Sequence, residues 1–390
     1  MLALVGAIAA SAQASAEAPC RLCFAGALSP FLSRLREPSR TTPIHILQIG
    51  DSHSAGDMIT QGWRARLQAR YGNAGRGVLA AGRPYAGYLT FGVTAAQSGG
   101  WSVSAILGGG GGAPLGITGF TQTARGAGEF LSIATDTPDQ DFDGAVVCAL
   151  TGPGAGTIAL RMGAEEAIWR LSAPRREPAC RTMDSERPVA AAALETRDGE
   201  PVSITSFAIF RRGGGAILSN LGVVGAQLVH FGRADDAAIR AELAAYRPDL
   251  VVLAFGTNEA FFPAFDPDAY EAVLRAQVAR LRRLSVGEVP ILLLGPPDSA
   301  TRQDGGPSCG DGLFTPARLD EVRRRQIKVA GEMGAAFWDW QAAMGGRCAA
   351  RSWQRAGLMR DDLVHFTRAG GDRIGAMLDS DIERAAGEER

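Results

Sequence analysis

Ile44-His45-Ile46-Leu47-Gln48-Ile49-Gly50-Asp51-Ser52-His53-Ser54 reads as a buried strand that runs into a sharp turn. The apolar run breaks at Gly50, and Met58, Ile59, Gly62, Trp63 and Leu67 then follow at helical spacing. A strand–turn–helix of this kind exposes the Ser52 hydroxyl at a helix start. Open α/β sheets carry their chemistry at the C-terminal ends of parallel strands, where the unpaired amides of the next helix favour developing negative charge. Ser52 is therefore a candidate nucleophile. The other reading is a helix cap supplied by Asp51 or Ser52, and the remainder of the chain decides between the two according to whether it supplies partners for a nucleophile.

Outward from this stretch, residues 42–85 open an α/β unit of strand, turn, helix and Gly-rich segment. From 86 to 215 the character changes to short β-type runs, such as Gly144-Ala145-Val146-Val147-Cys148 and Thr157-Ile158-Ala159-Leu160-Arg161, punctuated by Gly, Pro and Asp. An insertion of this length inside a compact domain requires its own core, so a β-sandwich is expected there. After 216 the α/β pattern returns with strands at Leu250-Val251-Val252-Leu253-Ala254-Phe255, Pro290-Ile291-Leu292-Leu293-Leu294-Gly295 and Ala335-Ala336-Phe337-Trp338-Asp339, separated by helical stretches. Residues 42–85 and 216–390 thus form one discontinuous domain, with a parallel sheet covered on both faces. The order of its strands is not readable at this level.

Composition narrows the function. The chain has 390 residues, 46% of them hydrophobic, and its 40 basic and 41 acidic residues nearly cancel, which disfavours partners such as nucleic acid or an anionic membrane surface. Residues 1–16 are small and apolar and end in Ala14-Ser15-Ala16, the form of a signal-peptidase site, so export is expected, with an N-terminal segment over 17–41. No other stretch reaches the apolar length of a transmembrane segment. Six cysteines fit an oxidising compartment, and the domain division suggests the pairs Cys20–Cys23, Cys148–Cys180 and Cys309–Cys348. With one CxxC and only four histidines, a structural zinc site is disfavoured.

Three later stretches fall at the same sheet edge as Ser52. Asn220-Leu221-Gly222-Val223-Val224-Gly225-Ala226-Gln227 offers backbone amides to a substrate oxygen, with Gly225 and Gly222 as rival donors. Phe255-Gly256-Thr257-Asn258-Glu259 follows a strand directly, so the Asn258 amide can face an oxyanion; a cap or turn is its other reading. In Asp361-Asp362-Leu363-Val364-His365-Phe366-Thr367, one turn of chain can fold Asp362 onto one imidazole nitrogen of His365 while the other nitrogen faces a serine. Structural roles suit His45, His53 and His230 better.

Taken in order, Gly50-Asp51-Ser52, Gly225, Gly256-x-Asn258 and Asp362-x-x-His365 resemble the SGNH (GDSL) hydrolases. The resemblance implies a flavodoxin-like three-layer α/β/α fold, a triad of Ser52, His365 and Asp362, and an oxyanion hole from the Ser52 and Gly225 amides and the Asn258 side chain. It covers residues 44–85 and 216–385. Gln48-Ile49-Gly50-Asp51-Ser52-His53-Ser54-Ala55-Gly56-Asp57, Leu221 to Gln227 and Gly256-Thr257-Asn258-Glu259-Ala260, with a β-module between the first two, look like the bacterial peptidoglycan O-acetylesterases. Those are periplasmic enzymes with an inserted jelly roll similar to carbohydrate-binding modules. The implied activity is removal of O-acetyl groups from a cell-wall glycan through an acetyl-serine, with no metal or organic cofactor. Acetyl transfer to a glycan, deacetylation of another polysaccharide and non-catalytic glycan binding are the alternatives.

Overall fold

Every residue of Ile44–Gly50 is buried, as befits a central strand of a parallel sheet covered on both faces. This computed structural model describes residues 20–37, 41–108 and 112–388; the leader expected over 1–16 lies outside them. Five parallel strands stand in the order Ala336–Trp338, Ile291–Leu294, Leu250–Ala254, Ile44–Gly50, Ala216–Gly222. Leu22–Cys23, from the N-terminal segment, extends the sheet antiparallel to Ala336–Trp338. The chain adds its second parallel strand on one side of Ile44–Gly50 and its third on the other. This is the flavodoxin order, whose switch point lies between Ile44–Gly50 and Leu250–Ala254. The turn at Ser52 and the loop at Asn258 leave the sheet there.

One face of the sheet packs under helices Ser29–Arg36, Met58–Tyr71 and Arg368–Glu388, where Trp63, Trp338, Ile374 and Leu378 share a core. The helix after Ser52 and the helix after His365 touch closely: a Cβ on Gly375 would stand 2.5 Å from the Trp63 amide nitrogen. That contact requires glycine, and it fixes the two chain segments carrying serine and histidine against each other.

The other face carries helices Asp236–Tyr246, Pro267–Leu284 and Leu319–Met333 together with a two-sheet antiparallel sandwich. One sandwich sheet runs Glu165–Arg170, Thr157–Met162, Ala191–Thr196, Phe130–Thr135, Val93–Gln97. The second runs Glu177–Val189, Phe142–Thr151, Val202–Phe210, Phe120–Ala124, Trp101–Ala105. Gly77–Leu79, upstream of residue 86, also pairs with Val202–Phe210, so strand pairing with the sandwich begins before the expected insertion point.

The sandwich has the core of its own that its length required, but it shares a second one. Along Phe142–Thr151 the alternation of strand side chains sends Ala145, Val147 and Ala149 between the two sheets, and Val146 and Cys148 toward the helices of the α/β part. Polar groups close the same seam. Buried Glu242, on helix Asp236–Tyr246, accepts the Ile117 amide at 2.6 Å and the Thr205 and Ser206 hydroxyls at 2.7 and 2.5 Å. Disulfides join Cys20 to Cys23, Cys148 to Cys180 and Cys309 to Cys348.

Candidate active site

Asp51 and Ser52 divide the two roles weighed from the sequence. Asp51 is the cap: it precedes the short helix Ser52–Ala55, and its carboxylate accepts the His53 amide at 2.9 Å. Ser52 is thereby left to face outward, and its Oγ lies 2.9 Å from His365 Nε2. His365 Nδ1 is 2.9 Å from Asp362 Oδ2. With a carboxylate on Nδ1, the favoured tautomer carries its proton there and offers Nε2 as acceptor to the serine hydroxyl.

The turn that folds Asp362 back is built locally. Asp362 Oδ1 accepts the Val364 and His365 amides at 2.9 and 2.8 Å. Burial pushes the Asp362 carboxyl up, but those two amides and the His365 ring outweigh it and hold it below the usual carboxylate range. Leu363, between them, adopts a left-handed φ of 57°, unusual for a branched side chain. Its side chain is buried in the core under the sheet, which offsets that strain.

On the neighbouring loops, Asn258 Nδ2 donates to the Ala226 carbonyl at 2.9 Å, which orients the side-chain amide and leaves its second N–H available. Gly225 sits in a turn closed by the Ala226 amide on the Val223 carbonyl, with φ 80°. Among the described residues its own N–H is given to no protein acceptor. The rival Gly222 does something else. It pairs with Gly50 in the ladder, and a Cβ there would stand 2.0 Å from the Ala55 nitrogen, so it is the floor under the serine turn.

The histidines set aside from the sequence have structural partners. His45 bonds the Tyr246 carbonyl and the Ser219 hydroxyl, and His230 Nδ1 accepts the Gln227 amide. His53 contributes more than was legible: its Nδ1 faces Asp51 at 3.3 Å and its Nε2 lies 3.1 Å from the Val364 carbonyl. The serine turn thus holds the loop of the histidine directly. Burial lowers the His53 pKa, but Asp51 and the Val364 carbonyl more than reverse this, and the ring is held above its ordinary value.

Glu259 was quoted from the sequence only as the residue after Asn258. It is buried beside Asn258, where its Oε1 accepts the Leu228 amide at 2.7 Å and so ties the Gly225 loop to the Asn258 loop. Its Oε2 has no partner among the described residues, and burial pushes the carboxyl up to about 7. A carboxyl that binds its proton more tightly in the folded state stabilises most below its unfolded pKa, and that stability is lost as pH rises from there through about 7. Glu259→Gln keeps the acceptor and cannot ionise. Urea midpoints at pH 5 and pH 8 are expected to show a wild-type decline, on the order of 3 kcal/mol from this group, that is missing in the variant.

A cavity of about 300 Å³ opens on Ser52 and His365, with Tyr85, Leu89, Val224 and Phe366 among its walls. Tyr85 and Leu89 come from the connection into the sandwich, so that insertion shapes the cleft. Among the described residues no group of three or more His, Cys, Asp or Glu side chains is placed to hold a metal ion.

Residues 204–373 match the GDSL-like Lipase/Acylhydrolase family. The GDSL-like match spans Gly225, Asn258, Asp362 and His365, and it begins downstream of Ser52, which the sandwich strands separate from the other four. A solved structure of a peptidoglycan O-acetylesterase aligns with a TM-score of 0.80 at 26% identity, covering 95% of this chain and 100% of that one. A family two carbohydrate esterase from Clostridium thermocellum aligns at 12% identity over 75% of this chain and 98% of its own, with a TM-score of 0.30. A family 29 carbohydrate-binding module aligns at 12% identity with a TM-score of 0.24, over 36% of this chain and 94% of its own. No curated protein sequence matches the chain.

Proposed function

We propose that the protein is a serine esterase that removes O-acetyl groups from a bacterial cell-wall glycan, peptidoglycan foremost. The observation that carries this reading is the hydrogen-bonded series Ser52 Oγ, His365 Nε2, His365 Nδ1, Asp362 Oδ2 at the switch point of the sheet. The 0.80 TM-score to a peptidoglycan O-acetylesterase over nearly the whole chain, sandwich included, supports the substrate class.

In this mechanism Ser52 Oγ attacks the acetyl carbonyl while His365 Nε2 takes its proton, and Asp362 stabilises the imidazolium that forms. The carbonyl electron pair moves onto oxygen, which meets the Ser52 and Gly225 amides and the free N–H of Asn258. Collapse expels the glycan oxygen, which receives the proton from His365, and acetyl-Ser52 remains. Water then gives a proton to His365 and attacks the acetyl-serine; acetate departs as the proton returns to Ser52. No step calls for a cofactor.

The three disulfides support an oxidising compartment. Among the described residues no helix is long and apolar enough to cross a membrane. With the leader read from residues 1–16, these observations lead us to assign the protein to the periplasm.

The test is acetate release by purified protein from native O-acetylated peptidoglycan and from acetylated xylan. Faster release from peptidoglycan is expected. Equal or faster release from xylan would move the assignment to another polysaccharide, and acetyl groups recovered on an added chito-oligosaccharide in place of free acetate would make the protein a transferase.

A further inference from the structure

We propose that Arg360 recognises a carboxylate on the glycan that bears the acetyl ester, so that the enzyme selects acidic acetylated glycans over neutral ones. The inference rests on the esterase reading above and names the substrate class of that same site.

Arg360 lines the cavity that opens on Ser52 and His365, and it is the one permanently charged side chain in that lining, which contains no carboxylate. Its neighbours in sequence are engaged elsewhere. Arg351 donates to Gln354 and Arg355 to Asp311, while Asp361 accepts from Gln354 and Asp362 serves His365. Among the described residues the Arg360 guanidinium has no hydrogen-bond or ion-pair partner. A guanidinium presents a planar fork of donors that fits a carboxylate in two parallel hydrogen bonds, the strongest such pairing a side chain makes.

The backbone fixes where that fork starts. The Arg360 amide donates to the His365 carbonyl at 2.8 Å, and its own carbonyl accepts the Leu363 amide at 3.1 Å. Met359 and Phe366 bridge on the far side. The Arg360 backbone and the catalytic base therefore ride on one small closed unit, so an anion held by Arg360 lies within side-chain reach of the reacting ester.

Electrostatics favours the same reading. A substrate carboxylate entering this cavity meets a guanidinium that no carboxylate in the lining neutralises, so an acidic substrate gains in binding. An oxyanion-stabilising role for Arg360 has a different signature, since every acetyl ester would then depend on it equally.

Carboxylates of this kind come from the lactyl-peptide arm of muropeptides or from uronic acid residues. The experiment measures kcat and KM for acetate release from O-acetylated muropeptides, from acetylated polygalacturonate, and from each after carbodiimide amidation of its carboxyls. The two substrates separate the sources. Wild type is expected to prefer the acidic form of at least one substrate over its amidated form. In Arg360→Gln that preference ratio is expected to fall by roughly 10- to 100-fold, and Arg360→Lys to restore part of it. Wild-type preference is also expected to weaken with added salt.

Equal rates on acidic and amidated substrates in wild type, or an equal loss on both in Arg360→Gln, overturns the inference and leaves the esterase reading standing. No acetate from any substrate, with no turnover of 4-nitrophenyl acetate, overturns both. Melting temperatures of the two variants, whose changed side chain is exposed, separate lost recognition from lost fold.

Discussion

Ser52→Ala is expected to lower turnover of an acetyl ester by roughly 10⁴-fold or more, and His365→Ala to do the same. Ser52 is the only hydroxyl hydrogen-bonded to His365 among the described residues. The two losses should not add. Once the serine is gone the histidine has no proton to take, so the double variant should match either single one, as residues acting in one step do. Both side chains lie at the cleft rather than in a core, so melting temperatures are expected to stay near wild type. Near-normal turnover of 4-nitrophenyl acetate by purified Ser52→Ala would overturn the assignment.

The second large effect is on Asn258. Asn258→Ala is expected to lower kcat by roughly 10²- to 10³-fold with a small change in KM, because the lost hydrogen bond is made to the oxyanion and hardly to the ground-state carbonyl. The Ala226 carbonyl already orients the Asn258 amide, so little reorganisation is needed when charge develops. Asn258→Asp is the sharper control. It keeps the size of the side chain but turns a donor into an anion facing an anion and facing the Ala226 carbonyl, so it should be at least as damaging as alanine. A loss in KM alone, with kcat retained, would assign Asn258 to binding instead.

The features that could be read from the sequence are those made by neighbours in it. The turn at Gly50-Asp51-Ser52 follows its own strand, and Asp362 and His365 are three residues apart on one closed turn. Their geometry is therefore written locally. The strand order is not, because it depends on which side of Ile44–Gly50 the sandwich delivers Ala216–Gly222. The same limit hid the bond from His53 to the Val364 carbonyl and the tie from Glu259 to Leu228, contacts between residues 311 and 31 positions apart. Gly222 and Gly225 looked interchangeable as glycines in one short run. Only the approach of Ala55 to within 2.0 Å of a Cβ at Gly222 separates a packing glycine from the turn glycine.

The pairing of Ile44–Gly50 with Ala216–Gly222 also has a consequence for how the protein comes to exist. These neighbouring strands are roughly 170 residues apart in sequence, and such a contact has to wait on the closure of a very long loop. The intervening chain shortens that wait: its antiparallel strands pair over smaller separations than this one, and once they have collapsed the two ends of the loop, at Gly77–Leu79 and Val202–Phe210, already lie side by side. The sandwich is in this sense an internal template, on which the strand that leads into Ser52 meets its partner. A lesion deep in the sandwich, far from Ser52, would thus be felt first as slow or failed assembly of the parallel sheet and only afterwards as an altered cleft.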